Sequence, residues 1–99
     1  MLKYEWDENK NKSNQQKHSI RFEMAKEVFE DQNAVEFRST SSTEFRVLRI
    51  GKTLSRILVA VVYTLRSVSV RIISARQASK EETKSYIENS LSKQSDDES

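Results

Sequence analysis

The sequence predicts an α+β fold: an antiparallel sheet packed by two N-terminal helices and one C-terminal helix, in the order β-α-α-β-β-β-β-α. Three features point there. The runs Ile57–Tyr63 and Val68–Ile73 are apolar and β-branched, with the turn Leu65-Arg66-Ser67 between them, as neighbouring strands would be. Phe22, Ala25, Val28 and Phe29 recur at helical spacing, with Glu23, Lys26, Glu27 and Glu30 on the other face. Ser79-Lys80-Glu81-Glu82 has the form of a capping box, in which hydroxyl and carboxylate satisfy free amides at a helix start.

Taken in order, Leu2–Trp6 alternates apolar and polar side chains and reads as a short strand. Asp7 can cap the following helix, Glu8 to Lys17, where no Gly, Pro or β-branched residue intervenes. That helix is almost wholly polar, so neighbouring strands or a ligand must hold it; it sets Lys10, Asn14 and Lys17 or His18 on one face. The second helix, Phe22 to Phe29, breaks at Asp31-Gln32-Asn33. Val35 and Phe37 then alternate with Glu36 and Arg38 in a half-buried strand, followed by a polar loop over 39–43. Phe45–Ile50 is a strand ending at Gly51, the single glycine, and Lys52–Ser55 turns into the strand Arg56–Thr64; Val68–Ser74 is the last strand. Short loops make an antiparallel meander the simplest arrangement of these three. The final helix runs from Lys80 to about Leu91, with Tyr86, Ile87 and Leu91 able to dock. Residues 92–99 are acidic and serine-rich and are expected to be disordered, leaving one domain over 1–91.

Charge is strongly polarised along the chain. Residues 45–80 hold eight Arg or Lys and no acid, whereas 1–44 are net −2 and 81–99 net −4. A sheet that carries the positive charge suggests one that meets an anion. The absence of cysteine excludes disulfides and thiolate metal sites, and a single histidine argues against structural zinc, so no metal or cofactor is expected. The start, Met1–Asp7, is too polar for a signal peptide, and the longest apolar run is seven residues, far short of the roughly 20 that cross a bilayer. A cytoplasmic protein with no membrane partner is the expectation.

Trp6-Asp7-Glu8-Asn9-Lys10, Asn14, Lys17-His18 and Phe22-Glu23-x-Ala25-x-x-Val28-Phe29-x-Asp31 together resemble the opening of BrnT-type toxins. Arg71-Ile72-Ile73-Ser74-Ala75-Arg76-x-Ala78, then Glu82 and Tyr86, is similar to that family's second half, with Glu44-x-Arg46 and Gly51 suitably spaced between. The resemblance covers about residues 2–88. It implies a RelE-like fold and a metal-independent endoribonuclease that cleaves RNA and inhibits translation. It also implies a BrnA-like ribbon-helix-helix antitoxin as partner, through which alone the toxin meets operator DNA. The chain departs from the family at backbone devices: Ser19 and Ser67 stand where Gly is usual, Arg21 where a capping Ser is common, and Thr83 replaces a usual Arg. A non-Gly residue in a left-handed conformation, or a lost cap, costs about 1 kcal/mol. The alternative reading is therefore a catalytically weakened member that only binds nucleic acid or its antitoxin.

Cleavage of this kind requires a base for the 2′-hydroxyl, cations around the phosphorane and an acid for the leaving 5′-oxygen. Imidazole exchanges protons near neutral pH, and His18, beside Lys17 at a helix end, is the natural candidate; a solvated surface pair is the plainer reading. Arg46, Arg71 and Arg76 are candidates to clamp the phosphate bidentately, or else are outer-face strand residues. Arg71 and Arg76 have opposite strand parity and converge only if the strand ends or bulges near Ser74-Ala75. Tyr86 is a candidate to assist proton transfer or phosphate binding. Lys10, Asn14, Trp6 and Arg56 are candidate RNA contacts on free or ribosome-bound RNA, with solvated charge, and core packing for Trp6, as the alternatives. No paired carboxylates, metal-ligand cluster, Gly-rich phosphate loop or nucleophilic triad accompanies them.

Overall fold

The computed structural model describes residues 3–39 and 45–98, with side chains described as far as Lys93. The elements are β1 (Lys3–Glu5), α1 (Glu8–His18), α2 (Phe22–Ala25) continued by a 3₁₀ segment (Lys26–Glu30), β2 (Val35–Ser39), β3 (Arg46–Lys52), β4 (Leu58–Arg66), β5 (Ser69–Gln77) and α3 (Lys80–Glu98). The sequence-derived order holds. Leu2, the loop residues 40–43, Glu44 and the side chains of 94–99 lie outside the described residues.

The sheet runs β1-β5-β4-β3-β2; β3 to β5 form the expected antiparallel meander, and β2 extends it by pairing antiparallel with β3. The sheet is not wholly antiparallel, however. β1 pairs parallel with β5, Tyr4 opposite Val70 and Glu5 opposite Arg71. Pairing parallel needs a long crossover, and everything between Trp6 and Val68 supplies it. The Tyr4 ring packs on Phe29 at 5.4 Å, while Glu5 accepts from Ser69 Oγ at 2.7 Å, so both faces of the short strand are engaged.

One side of the sheet carries the main core. Ile20, Phe22, Ala25 and Val28 pack on Val47, Val59, Val61, Tyr63, Val70, Ile72 and Ala75. Phe22 and Val28 are fully buried, each stabilising by about 1.5–3 kcal/mol relative to exposure. On the other side α3 lays Tyr86 over Ile50 and Ala60. β4 is thus buried on both faces at Val59–Val61, while Ile57 precedes the strand and is 39% exposed. The strand starts at Leu58 rather than Arg56 because Thr53 and Ile57 close a tight loop (Thr53 N to Ile57 O, 2.9 Å) in which Arg56 takes φ 67°. No glycine marks that loop.

The helices end for identifiable reasons. Asp7 caps α1, accepting from Asn9 N at 2.8 Å. Ser19 closes it with φ 60°, and Ser67 turns the β4–β5 hairpin with φ 42°, the two positions where the resemblance implies glycine. Arg21 gives α2 no side-chain cap; Asn11 Oδ1 accepts from Phe22 N at 2.8 Å in its place. The C-terminal carbonyls of the second helical stretch are met from β3, where Arg49 Nε donates to Val28 O (2.9 Å) and Nη2 to Asp31 O (3.1 Å). The capping box of α3 forms as written, Ser79 N to Glu82 Oε1 at 2.8 Å and Glu82 N to Ser79 Oγ at 3.1 Å. α3 continues past Leu91 to Glu98, with no Gly or Pro to stop it.

Candidate functional site

α1 has hardly any apolar side chain, and its two buried residues are Asn11 and Asn14. Asn11 Nδ2 donates to Glu8 Oε1 and Glu23 Oε1, both at 2.9 Å, and the bond to Asn11 leads the effects that hold the Glu23 carboxyl below its usual range. Asn14 Nδ2 donates to Ala75 O at 2.7 Å and Ile20 O at 3.0 Å, while its Oδ1 accepts from Ala75 N at 3.1 Å. The polar helix is therefore held by a neighbouring strand, through amides rather than through an apolar face. Asn14 was expected on the RNA-facing side; it points inward, with both amide hydrogens on protein carbonyls.

Held this way, the outer side of α1 forms a cleft of about 210 Å³ with β5, lined by Lys10, Ser13, Asn14, Lys17, His18, Ile73 and Ser74. His18 also lines a second, more apolar cleft of about 270 Å³ with Ile20, Met24, Ile57 and Gln77, so it stands on the ridge between the two.

The arginines depend on a bulge. Across the β4–β5 ladder Tyr63 is opposite Ile72 but Val62 is opposite Ser74, which leaves Ile73 as an extra residue. Arg71 then lies opposite Thr64, Ser74 opposite Val62 and Arg76 opposite Ala60. Cross-strand partners point to the same side, and Thr64, Val62 and Ala60 share parity, so Arg71, Ser74 and Arg76 all emerge on the α3 side of the sheet. Arg46, next to the inward Val47, belongs to the same side. Ser74 is the link, because it also lines the cleft of Lys17 and His18. The cleft lining does not include Arg46, Arg71 or Arg76.

Arg71 and Arg76 face carboxylates. Arg71 Nη1 is 3.4 Å from Glu5 Oε2. Arg76 makes a fork with Glu82, Nη1 to Oε1 at 2.7 Å and Nη2 to Oε2 at 2.8 Å. That hydrogen bonding raises Arg76 above the usual guanidinium value and brings the Glu82 carboxyl down to about 2.

The remaining candidates lie elsewhere. Tyr86 is buried; its hydroxyl donates to Asp31 Oδ2 at 2.7 Å, and burial together with that carboxylate pushes the phenol up to about 12. Asp31 also accepts from Lys52 N and Asn33 N. Burial alone would raise its carboxyl, but these bonds and the one from Tyr86 hold it below the usual range. Tyr86 and Arg56 line a separate cleft of about 490 Å³ with Glu27, Glu30, Lys52 and Leu54. Trp6 is half-buried, edge-on to Phe22 at 6.0 Å, with its indole nitrogen donating to Glu8. Among the described residues no cluster of metal-ligating side chains occurs. What sequence reasoning missed are structural partnerships: Asn11 with Glu23 and Phe22 N, Glu5 with Arg71, Glu82 with Arg76 and Asp31 with Tyr86. Asn11 had a signal, since two asparagines three apart on a helix without an apolar face are the natural groups to bury.

The family model for BrnT, described as the ribonuclease toxin of a type II toxin–antitoxin system, matches residues 6–82. The chain belongs to the BrnT family. Among solved structures, the 1.1 Å crystal structure of the Brucella abortus ribonuclease toxin BrnT aligns with a TM-score of 0.64 at 26% identity, covering 81% of this chain and all of that one. No individually curated protein matches. A toxin of such a system has an antitoxin partner. No helix of the described residues is long and apolar enough to cross a membrane. The matched span holds Lys17, His18, Arg46, Arg71 and Arg76, and stops short of Tyr86.

Proposed function

We propose that this chain is a metal-independent endoribonuclease that cleaves RNA, free or on the ribosome, in the cytoplasm and thereby inhibits translation. A BrnA-like ribbon-helix-helix antitoxin neutralises it and provides its route to operator DNA. The observation that carries this reading is the cleft of Lys10, Lys17 and His18 opening at Ser74, beside the side of the sheet that bears Arg46, Arg71 and Arg76. In the reaction a 2′-oxygen attacks phosphorus and the bond to the 5′-oxygen breaks. His18 and Lys17 take up and return the protons, and Arg71 and Arg46 stabilise the charge that grows on the phosphorane. Lys10 tracks the RNA backbone.

The Arg76–Glu82 fork favours a second reading. A carboxylate bound through both oxygens occupies the donors that a phosphate would need, while Glu5 meets Arg71 through a single longer contact of 3.4 Å. A member with those groups engaged binds nucleic acid or antitoxin and cleaves poorly. Incubating the purified protein with end-labelled RNA, with and without ribosomes and in EDTA, separates the two. Cleavage that persists in EDTA and falls about 10²- to 10⁴-fold in His18→Ala supports the first. RNA left intact under every condition, with binding that weakens as salt rises, supports the second.

A further inference from the structure

Asn14 behaves as a piece of β-strand. A side-chain carboxamide has the donor and acceptor of a peptide group, and here it bonds both Ala75 N (3.1 Å) and Ala75 O (2.7 Å). That is the reciprocal pair of an antiparallel ladder, made by a helix side chain. It falls where the sheet has a gap. β1 pairs with β5 only as far as Arg71, and the strand then bulges at Ile73. Beyond the bulge Asn14 is what takes up the outer edge at Ala75. The second hydrogen of the same amide goes to Ile20 O, past the left-handed Ser19 that ends the His18 turn. One amide thereby ties α1, the segment after His18 and the far side of the bulge to one another.

We infer that Asn14 is a positioning residue for RNA cleavage: its amide sets Lys17 and His18 against Ser74 and keeps the β5 bulge that turns Arg71 and Arg76 to one side of the sheet. This rests on the ribonuclease reading above. Asn14 itself is 7% exposed and has no amide hydrogen left for RNA. Loss of this tie lets the cationic groups drift apart by a fraction of an ångström to an ångström, a displacement that costs up to about 100-fold in rate when it falls between reacting groups.

Two variants test this. Asn14→Asp keeps the shape and the acceptor for Ala75 N but loses both donations; Asn14→Leu removes all three bonds and adds no charge. Asn11→Ala is the control for general loosening, because Asn11 holds the same helix without touching β5. Steady-state cleavage of a defined RNA is measured at a temperature where thermal melts show each protein folded, and exchange of the Ala75 amide hydrogen is followed by NMR. The expected result is a kcat lowered about 10- to 100-fold in both Asn14 variants, with KM within about twofold. The Ala75 amide should exchange faster in both, and Asn11→Ala should keep its kcat. An unchanged kcat beside an active wild type overturns the positioning role and leaves the ribonuclease reading standing. A KM that rises in both Asn14 variants with kcat unchanged makes Asn14 an RNA contact and overturns it too. A kcat loss in Asn11→Ala equal to that in the Asn14 variants reduces Asn14 to a general stabiliser. A wild type that cleaves nothing removes both proposals together.

Discussion

Gly51→Ala should be severely destabilising, although Gly51 does not adopt a left-handed conformation. Its place in β3, opposite Val59, faces the 3₁₀ segment. A Cβ built there would sit 2.8 Å from Val28 Cβ, 3.1 Å from Val28 O and 3.4 Å from Ala34 Cβ. None of these atoms is the free end of a flexible side chain. Val28 is fully buried, and its carbonyl is held by Arg49 Nε at 2.9 Å, so the segment has no inexpensive way to retreat. Overpacking of this kind costs about 1–3 kcal/mol, and contact with backbone places it at the upper end; for a domain of this size that is a fall of roughly 10–20 °C in Tm. Val28→Ala in the same chain should not rescue it, since the clashing Cβ remains. Circular-dichroism melts of the wild type, Gly51→Ala and the double variant measure this. A Tm within about 2 °C of the wild type would show that the 3₁₀ segment moves freely, and would refute the close-packing argument.

Ser19→Gly and Ser67→Gly should act in the opposite direction, each raising stability by about 1 kcal/mol because φ 60° and φ 42° suit glycine better; a lowered Tm in either would place the side chain's local bonds above backbone strain. Glu82 titrates well below its unfolded value, so its share of stability is fully present above about pH 4.5 and is lost as pH falls toward about 2. Glu82→Gln should flatten the wild-type loss of stability across that window, and urea melts at pH 2, 3, 4 and 6 give the comparison. Tyr86→Phe removes the hydroxyl from Asp31, which keeps Lys52 N and Asn33 N; a loss of about 0.5–1.5 kcal/mol with RNA cleavage unchanged is expected. A cleavage rate reduced more than tenfold in a protein that melts nearly normally would instead put Tyr86 in the chemistry.

Much of the fold was legible in the sequence because its signals are local. Asp7 and the Ser79/Glu82 box act over two or three residues, and the periodicities of 22–29 and 57–63 reflect one-sided and two-sided burial. The candidate site was legible only in part. Lys17 and His18 line one cleft, and the need for a bulge between Arg71 and Arg76 followed from parity alone. Which residue bulges did not follow, since Ile73 is chemically ordinary in its strand. Tyr86 and Arg56 look like site residues by type, yet packing against Asp31 and a tight loop sends them to the other cleft.

The sequence by itself determined most of the helix and strand segments and the caps at Asp7 and at Ser79 with Glu82. These depend on side chains bonding within a turn of backbone. Only the tertiary structure decided the partners: β1 beside β5, Glu5 on Arg71, Glu82 on Arg76, and the amide of Asn14 on Ala75. Such choices follow from which polar groups are left buried once the core has packed, and a buried amide bonds whatever the fold brings within reach. That is why a residue read as an RNA contact became the one that ties the helix of His18 to the strand of Arg71 and Arg76.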